Sequence, residues 1–287
     1  MENILSKLFI HHHLGLGDHF DCNGMVRYIG KNTTYEKIAV FSKSNYFSMI
    51  EYMYRDNDDI EVWEISKDNE YEDVKKIIET QKPEHMLIVG HQYYPGPVAE
   101  KELNKNCWEF FYEQVNIPYD VRHKYFYLQR DPKEEQRVFN KLNPNNEPYI
   151  FVHEDVDRGF ELDRKHFIDK SLHIIENDIS ENVFHFIKII EEAEEIHCME
   201  SSFKTLIDIY AKKFANKIKY FITILEINLW VRTVWTHGKL LNMIDLINYN
   251  WMPTVADHII DHSADFYRSA GVSRLHNVDS IDPSTVK

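Results

Sequence analysis

The sequence contains few cysteines and no long apolar run. Its 287 residues include three cysteines, Cys22, Cys107 and Cys198, which are far apart and form no Cys-x-x-Cys pair. Few and widely spaced cysteines indicate a reducing compartment, in which the thiols are buried and structural. No apolar stretch reaches the roughly 18 residues that a membrane-spanning helix needs. The start of the chain lacks the basic-then-apolar pattern of a signal peptide, so the expected location is cytoplasmic.

Positive charge is also scarce. The chain has 33 Lys and Arg against 47 Asp and Glu, which gives a net charge of −14. Phosphate recognition depends on clustered Lys and Arg, so general nucleic-acid binding and attraction to anionic membranes are both disfavoured. The apolar fraction of 43% and aromatic fraction of 14% are those of a globular protein.

Short β-type runs alternate with amphipathic helical stretches in two series. Strands are predicted at residues 8–11, 37–41, 60–65 and 86–90, and again at 149–153, 172–175, 195–198 and 219–222. Strands separated by helices predict parallel βαβ units. The expected fold class is therefore α/β, with two tandem Rossmann-like domains at residues 1–117 and 118–251. The stretch from 240 to 270 predicts helices broken at Pro253.

The turn after the first strand carries three histidines, His11, His12 and His13, and the run Gly15-Leu16-Gly17-Asp18. Glycine permits backbone angles closed to other residues and a close approach to a ligand. A dinucleotide fingerprint would need a third glycine at position 20, which is Phe. The alternative is an ordinary turn with Asp18 as the helix N-cap. Adjacent histidines point to opposite sides of a strand, so they cannot all converge on one metal ion.

Polar loops follow two strands of the second series. His153 ends one strand, and Arg158 soon afterwards could clamp a phosphate or pair locally with Asp155 or Asp157. After the next strand, Glu200 precedes Ser201 and Ser202 at the predicted start of a helix. Free amides and the helix dipole suit a diphosphate there, although simple capping by either serine explains them equally well. Glu200 could accept hydrogen bonds from ribose or sugar hydroxyls.

The loop after residue 90 contains His91, Tyr93 and Tyr94. A histidine beside aromatic rings suits a sugar ring, and a packed loop is the alternative.

Three of these segments have a family resemblance. The Gly-Leu-Gly-Asp turn resembles the N-terminal motif of GT-B glycosyltransferases of the heptosyltransferase-like and fucosyltransferase-like groups. Val152-His153 followed by Arg158 resembles the donor-phosphate motif of the latter group, and Glu200-Ser201-Ser202-Phe203 resembles its donor-binding helix start. The second motif departs from the family by having a single arginine, and the chain is short for the family.

The resemblance implies a hexosyl- or pentosyltransferase with a cleft between its two domains and C-terminal helices, about 252–275, that pack back on the first domain. Its substrates would be a GDP-, UDP- or ADP-linked sugar and a hydroxyl of a glycan acceptor, with no cofactor or essential metal. Asp18 would be the general base, with His12 or His13 as the fallback. The donor-binding residues would be Gly15, Gly17, His153, Arg158, Glu200, Ser201, Ser202 and Phe203, and the acceptor-binding residues His91, Tyr93 and Tyr94.

Other functions remain open on the sequence. Asp155-Val156-Asp157 spells the DxD motif of metal-dependent GT-A enzymes, but the tandem α/β series is the wrong layout for that fold. A nucleotide-sugar epimerase of the non-hydrolysing type shares the two-domain architecture, and a sugar-phosphate hydrolase could use the same cleft. A non-catalytic carbohydrate- or nucleotide-binding protein is the third alternative.

Overall fold

The chain forms two compact units, each built on a parallel β-sheet. A computed structural model describes residues 7–83, 85–90, 105, 107–155, 162, 164, 167, 170–199 and 201–214, together with the strands at 220–224, 232–236, 239–243 and 274–276. The first unit comprises Met1–Gln129 and Trp251–Lys287, and the second comprises Arg130–Asn250. The fold class predicted from the sequence, α/β with two successive parallel sheets, is confirmed.

The first unit contains a five-stranded sheet in the order β11-β4-β1-β2-β3, in which every pair is parallel. Its strands are β1 (Lys7–His11), β2 (Lys37–Lys43), β3 (Ile60–Ile65), β4 (His85–Ile88) and β11 (Arg274–His276). Its helices are α1 (Leu16–Asn32), α2 (Phe47–Tyr54), α3 (Glu70–Gln81), α4 (Cys107–Gln114) and α5 (Val121–Lys124).

Hydrophobic patterning explains these elements. β1 buries Leu8, Phe9 and Ile10 in succession, as expected of a parallel strand that is covered on both faces. The charged helix α3 buries Val74 and Ile78, which lie four residues apart and therefore on one side of the helix.

The second unit contains a four-stranded parallel sheet in the order β6-β5-β7-β8. Its strands are β5 (Tyr149–His153), β6 (His173–Glu176), β7 (Glu195–Met199) and β8 (Tyr220–Ile224), followed by a separate antiparallel pair, β9 (Arg232–Thr236) and β10 (Lys239–Met243). Its helices are α6 (Pro132–Leu142), a 3-10 turn (Val183–Phe186), α7 (Ile187–Glu192) and α8 (Ser202–Phe214).

The division between the units falls after Gln129, whereas the sequence pattern placed it after residue 117. Residues 118–129 stay with the first unit because α5 packs closely on α1. A β-carbon added at Gly24 of α1 would lie 2.7 Å from the carbonyl oxygen of Val121. Arg122 of the same short helix is bound to the buried carboxylate of Asp21.

The helices expected over residues 240–270 are wrong at their start, because residues 239–243 form β10. Two β-type runs separated by His237-Gly238 have the two-residue spacing of a hairpin, and strand pairing prevails over the helical propensity of Leu240 and Leu241. Residues 252–273 lie outside the described part of the chain, and Arg274–His276 returns to the first sheet as β11 beside β4. No helix in the described residues is long and apolar enough to cross a membrane.

Strand order marks one position on each sheet where a ligand is expected. In the first sheet the chain order reverses between β1 and β4, and in the second between β5 and β7. Open α/β sheets bind ligands in the crevice beyond the carboxyl ends of the strands at such a point. The loops after β1 and β5 therefore occupy the positions that matter for function.

Candidate functional site

The turn between β1 and α1 is built around a close approach of Asp18 to Gly15. Gly15 caps the helix with φ −71° and ψ 149°, which are ordinary extended angles, and Gly17 is the second residue of α1. The unusual backbone angles expected at these glycines are therefore absent. An alanine at position 15 would nevertheless displace the Asp18 carboxylate, because its β-carbon would lie 2.6 Å from Oδ2 of Asp18.

Asp18 lies in the first turn of α1, where the helix dipole favours negative charge. It is not the N-cap residue, since Gly15 holds that position and no side chain caps the helix. Its Oδ1 accepts a hydrogen bond of 3.0 Å from the indole Nε1 of Trp108 on α4. Both side chains are half-buried, so the carboxylate is held by a neutral donor while part of it stays accessible.

His12 lies beneath this turn and is fully buried. Its Nδ1 donates to the carbonyl oxygen of His13 at 2.5 Å, which leaves the lone pair on Nε2 in the neutral ring. Burial lowers the pKa of His12 to about 4. The ring meets that of His19 edge-on, with centroids 4.7 Å apart. His12 therefore presents no exposed nitrogen to an acceptor hydroxyl.

His13 lies in the loop that follows β1 and is half-buried. Its ring lies edge-on to Phe111 of α4, with centroids 5.0 Å apart. Burial lowers its pKa, and the nearby charge of Asp18 only partly opposes this. The adjoining end of β4 is fixed by Gln114, whose Oε1 accepts from the amide of Gly90 at 2.7 Å. Helix α4 is thereby anchored to the same sheet edge as His13.

His11 is bound to Glu70 of α3. Its Nε2 donates to Oε1 of Glu70 at 2.9 Å, and the other carboxylate oxygen accepts from Lys43 at 2.9 Å. Burial of the Glu70 carboxyl opposes its ionisation, but the hydrogen bonds and charges of His11 and Lys43 outweigh burial and hold its pKa well below the usual range. This bridge joins the carboxyl ends of β1 and β2 to the start of α3.

At the corresponding edge of the second sheet, His153 ends β5. Its Nδ1 donates to Oδ1 of Asn177, 2.8 Å away in the loop after β6. Its ring packs against that of Phe203 of α8, with centroids 4.5 Å apart and a tilt of 36° between the ring planes. Phe203 is itself buried against Phe151 and Phe186. These contacts orient the imidazole at the sheet edge, and Phe203 acts as its packing support.

Glu154 organises the loop after β5. Its Oε2 accepts from the amide of Leu162 at 2.8 Å and from Arg164 at 3.1 Å, and its Oε1 accepts from Arg164 at 2.5 Å. The carboxylate is therefore satisfied by Arg164, which also contacts Glu176.

Ser201 caps α8. Its Oγ accepts from the amide of Lys204 at 3.4 Å, the N-cap bond of a helix that begins at Ser202, and donates to the carbonyl of Met199 at 3.2 Å. The simple capping alternative therefore describes the geometry of Ser201. An α-helix begins with four amides that have no partner within the helix, and this N-cap bond satisfies one of those of α8.

The predicted residues thus fall into two groups. The first group lies after β1 and comprises His12, His13, Gly15, Gly17 and Asp18. The second lies around the ends of β5 and β7 and comprises His153, Ser201, Ser202 and Phe203. The remaining predicted residues lie outside the described part of the chain: His91, Tyr93, Tyr94, Arg158 and Glu200. Among the described residues, no group of three or more His, Cys, Asp and Glu side chains could hold a metal ion.

Sequence reasoning missed two partners of the predicted residues. Trp108 is not among the predicted site residues, yet its indole donor binds a residue 90 positions earlier. Asn177 directly follows β6, and a polar residue just after a strand of a parallel sheet was the signal that could have identified it.

No protein-family model matches the sequence, and no curated protein matches it. Two solved structures are similar to the chain. One is ADP-heptose LPS heptosyltransferase II of E. coli, with 9% identity, coverage of 92% of this chain and 97% of the other, and a TM-score of 0.48. The second is a glycosyl transferase family 9 protein from Veillonella parvula, with 8% identity, coverage of 86% and 90%, and a TM-score of 0.49.

Proposed function

We propose that this chain is a glycosyltransferase of the GT-B type, which moves a sugar from a nucleotide sugar to a hydroxyl group of a glycan acceptor. The observation that carries the proposal is the placement of the Asp18 carboxylate. It is half-buried and ionisable, and it lies just beyond the carboxyl end of β1, beside the point where the strand order reverses. That is the position where an open α/β sheet presents catalytic groups.

In this mechanism Asp18 is the general base. It removes the proton of the acceptor hydroxyl while the hydroxyl oxygen attacks the anomeric carbon of the donor sugar. The bond between that carbon and the phosphate oxygen breaks, and the nucleotide leaves with the electron pair. Asp18 is favoured over His12 because the His12 ring is fully buried.

The donor phosphates are assigned to the second unit. Ser201 caps α8 and Ser202 begins it. The first amides of this helix offer donors, and its N-terminus offers the positive end of the helix dipole, to a leaving diphosphate. His153 adds an oriented imidazole at the neighbouring strand end. The sequence pattern adds Arg158 and Glu200 to the donor side. On the acceptor side, it adds His91, Tyr93 and Tyr94. No step of the mechanism needs a metal ion.

A thermal-shift panel of UDP-, GDP-, ADP-, CMP- and dTDP-sugars tests the substrate class. A donor present at about 100 times its Kd should stabilise the protein by about 2.7 kcal/mol. Absence of a shift with every nucleotide sugar would count against a sugar-nucleotide enzyme of any kind.

The Asp18→Asn variant tests the base. We expect it to keep the thermal shift of the wild type and to lose transfer by about 10²- to 10⁴-fold. The matched control is Asp59→Asn, since Asp59 is an exposed carboxylate at the start of β3 and pairs only with Lys37 among the described ion pairs. Retained transfer in Asp18→Asn would remove Asp18 from the mechanism.

Incubation with donor alone distinguishes the alternative functions. Isomerisation of the sugar without any acceptor would indicate an epimerase. A thermal shift with no turnover under any acceptor, in both wild type and Asp18→Asn, would indicate a binding protein.

A further inference from the structure

The Asp18 carboxylate has two neighbours that are distant from each other in sequence. Oδ1 accepts the indole hydrogen of Trp108 at 3.0 Å. Oδ2 lies so close to Gly15 that a β-carbon there would be 2.6 Å away. Each carboxylate oxygen therefore has a different neighbour, and Oδ1 is held by a hydrogen bond.

We propose that Trp108 and Gly15 are the positioning residues of the general base. Trp108 fixes Oδ1, and the absence of a side chain at Gly15 gives Oδ2 the space from which it meets the acceptor hydroxyl. This inference rests on the proposed role of Asp18.

The chemistry of the indole suits this task. An indole N–H is a donor only, so Trp108 cannot compete with Asp18 for the acceptor's proton. It is also neutral, so it orients the carboxylate without cancelling its charge. Holding a catalytic group in its reactive geometry is worth a large factor, since a displacement of about 1 Å can cost about 10²-fold in rate.

Helix α4, which carries Trp108, is held in place by several contacts. Helix α4 also carries Phe111, whose ring contacts His13, and Gln114, which binds the amide of Gly90. Tyr112 of the same helix donates its hydroxyl hydrogen to the carbonyl of Asp21 at 2.8 Å. Helix α4 is thus fixed both to the end of β4 and to α1, the helix that bears Asp18.

The hydrogen bond itself can be tested without a substrate. The chain has five tryptophans, so its indole N–H signals can be resolved by NMR and that of Trp108 assigned by its loss in Trp108→Phe. We expect Asp18→Ala to shift the Trp108 signal and speed its exchange with solvent. The signal of Trp63, whose Nε1 donates to Glu61 at 3.2 Å, should not move. An unchanged Trp108 signal in Asp18→Ala would overturn the proposal.

The kinetic test uses the nucleotide sugar that gives the largest thermal shift. Trp108→Phe, which keeps an aromatic ring but removes the donor, should lower kcat about 10- to 100-fold while KM for the donor stays within about two-fold. Gly15→Ala should show the same split, and the control Trp63→Phe should match the wild type. Thermal unfolding of each variant separates a kinetic effect from a folding defect.

A double-mutant cycle separates positioning from every other role. If Trp108 acts through Asp18, then Asp18→Asn with Trp108→Phe should transfer sugar no more slowly than Asp18→Asn alone. Full activity in Trp108→Phe, or independent losses that multiply in the double variant, would refute the positioning role while leaving Asp18 as the base. Undiminished transfer in Asp18→Asn would instead refute the proposed role of Asp18 as the base, and the NMR signal would still show whether the hydrogen bond exists.

Discussion

Acidification should destabilise the first unit through His12. Burial lowers the pKa of this ring from its usual 6.5 to about 4. Between these values the unfolded chain binds a proton that the folded chain does not, so the free energy of unfolding falls as the pH falls. Applied to one site, the two pKa values give a loss of about 2 kcal/mol between pH 7.5 and pH 5.

The variant His12→Asn measures this contribution. Asparagine keeps a donor near the position of Nδ1, which in the wild type binds the carbonyl of His13, and it removes the titrating ring. Its stability at pH 7.5 can differ from that of the wild type, so the quantity to compare is the change with pH. We expect the loss between pH 7.5 and pH 5 to be smaller by about 2 kcal/mol in the variant.

The assay must report on one unit, because a chain with two units need not unfold in a single step. Urea titration at each pH, followed by hydrogen-exchange mass spectrometry of peptides from α1, meets that need. Burial also lowers the pKa of His19, whose ring contacts His12, so the combined variant should lose still more of the pH dependence. An equal loss of stability in wild type and His12→Asn would refute the reasoning.

Two further substitutions test the packing around the site. Gly24→Ala places a β-carbon 2.7 Å from the carbonyl oxygen of Val121 and should cost about 1–3 kcal/mol, whereas Gly30→Ala on the same helix meets only an ordinary contact at 3.4 Å and should be neutral or stabilising. Equal melting temperatures for the two alanine variants would contradict this. Glu70→Gln removes a half-buried carboxylate that binds both His11 and Lys43 and should cost about 1–3 kcal/mol in urea titration, while Glu61→Gln, which loses a more exposed pair, should cost less than about 1 kcal/mol. A loss as small as that of Glu61→Gln would show that the Glu70 bridge contributes little.

Much of the fold could be predicted because buried parallel strands are short, apolar and separated by helices. The run predicted at 86–90, for example, becomes β4 at His85–Ile88, and the run predicted at 149–153 becomes β5 at Tyr149–His153. Both signals are local, so they survive without knowledge of the rest of the molecule. Strand order is not local, and the reversal between β1 and β4 becomes visible only in the structure.

The site was predictable in part for the same reason. The glycines before Asp18 identify the turn, but the close approach of the Asp18 carboxylate to Gly15 depends on the position of that side chain, which the sequence does not give. Trp108 could not be connected with Asp18 from the sequence, because the two residues are 90 positions apart. Only the packing of α4 within the first unit brings them together. Hydrophobic periodicity places an aromatic residue on a helix without naming its polar partner.

The two carboxylates of α1 show why the environment decides which acid can do chemistry. Asp21 is fully buried and bound to the guanidinium of Arg122, which neutralises its charge and keeps it away from any ligand. Asp18, one helical turn earlier, has a neutral indole as its donor and remains half-exposed. A carboxylate in a buried ion pair gives up strong Coulomb energy if it takes a proton, whereas one held by a neutral donor loses only part of a hydrogen bond. Of the two, Asp18 is therefore the better candidate for the proposed general base, and Asp21 is suited to hold α1 against α5.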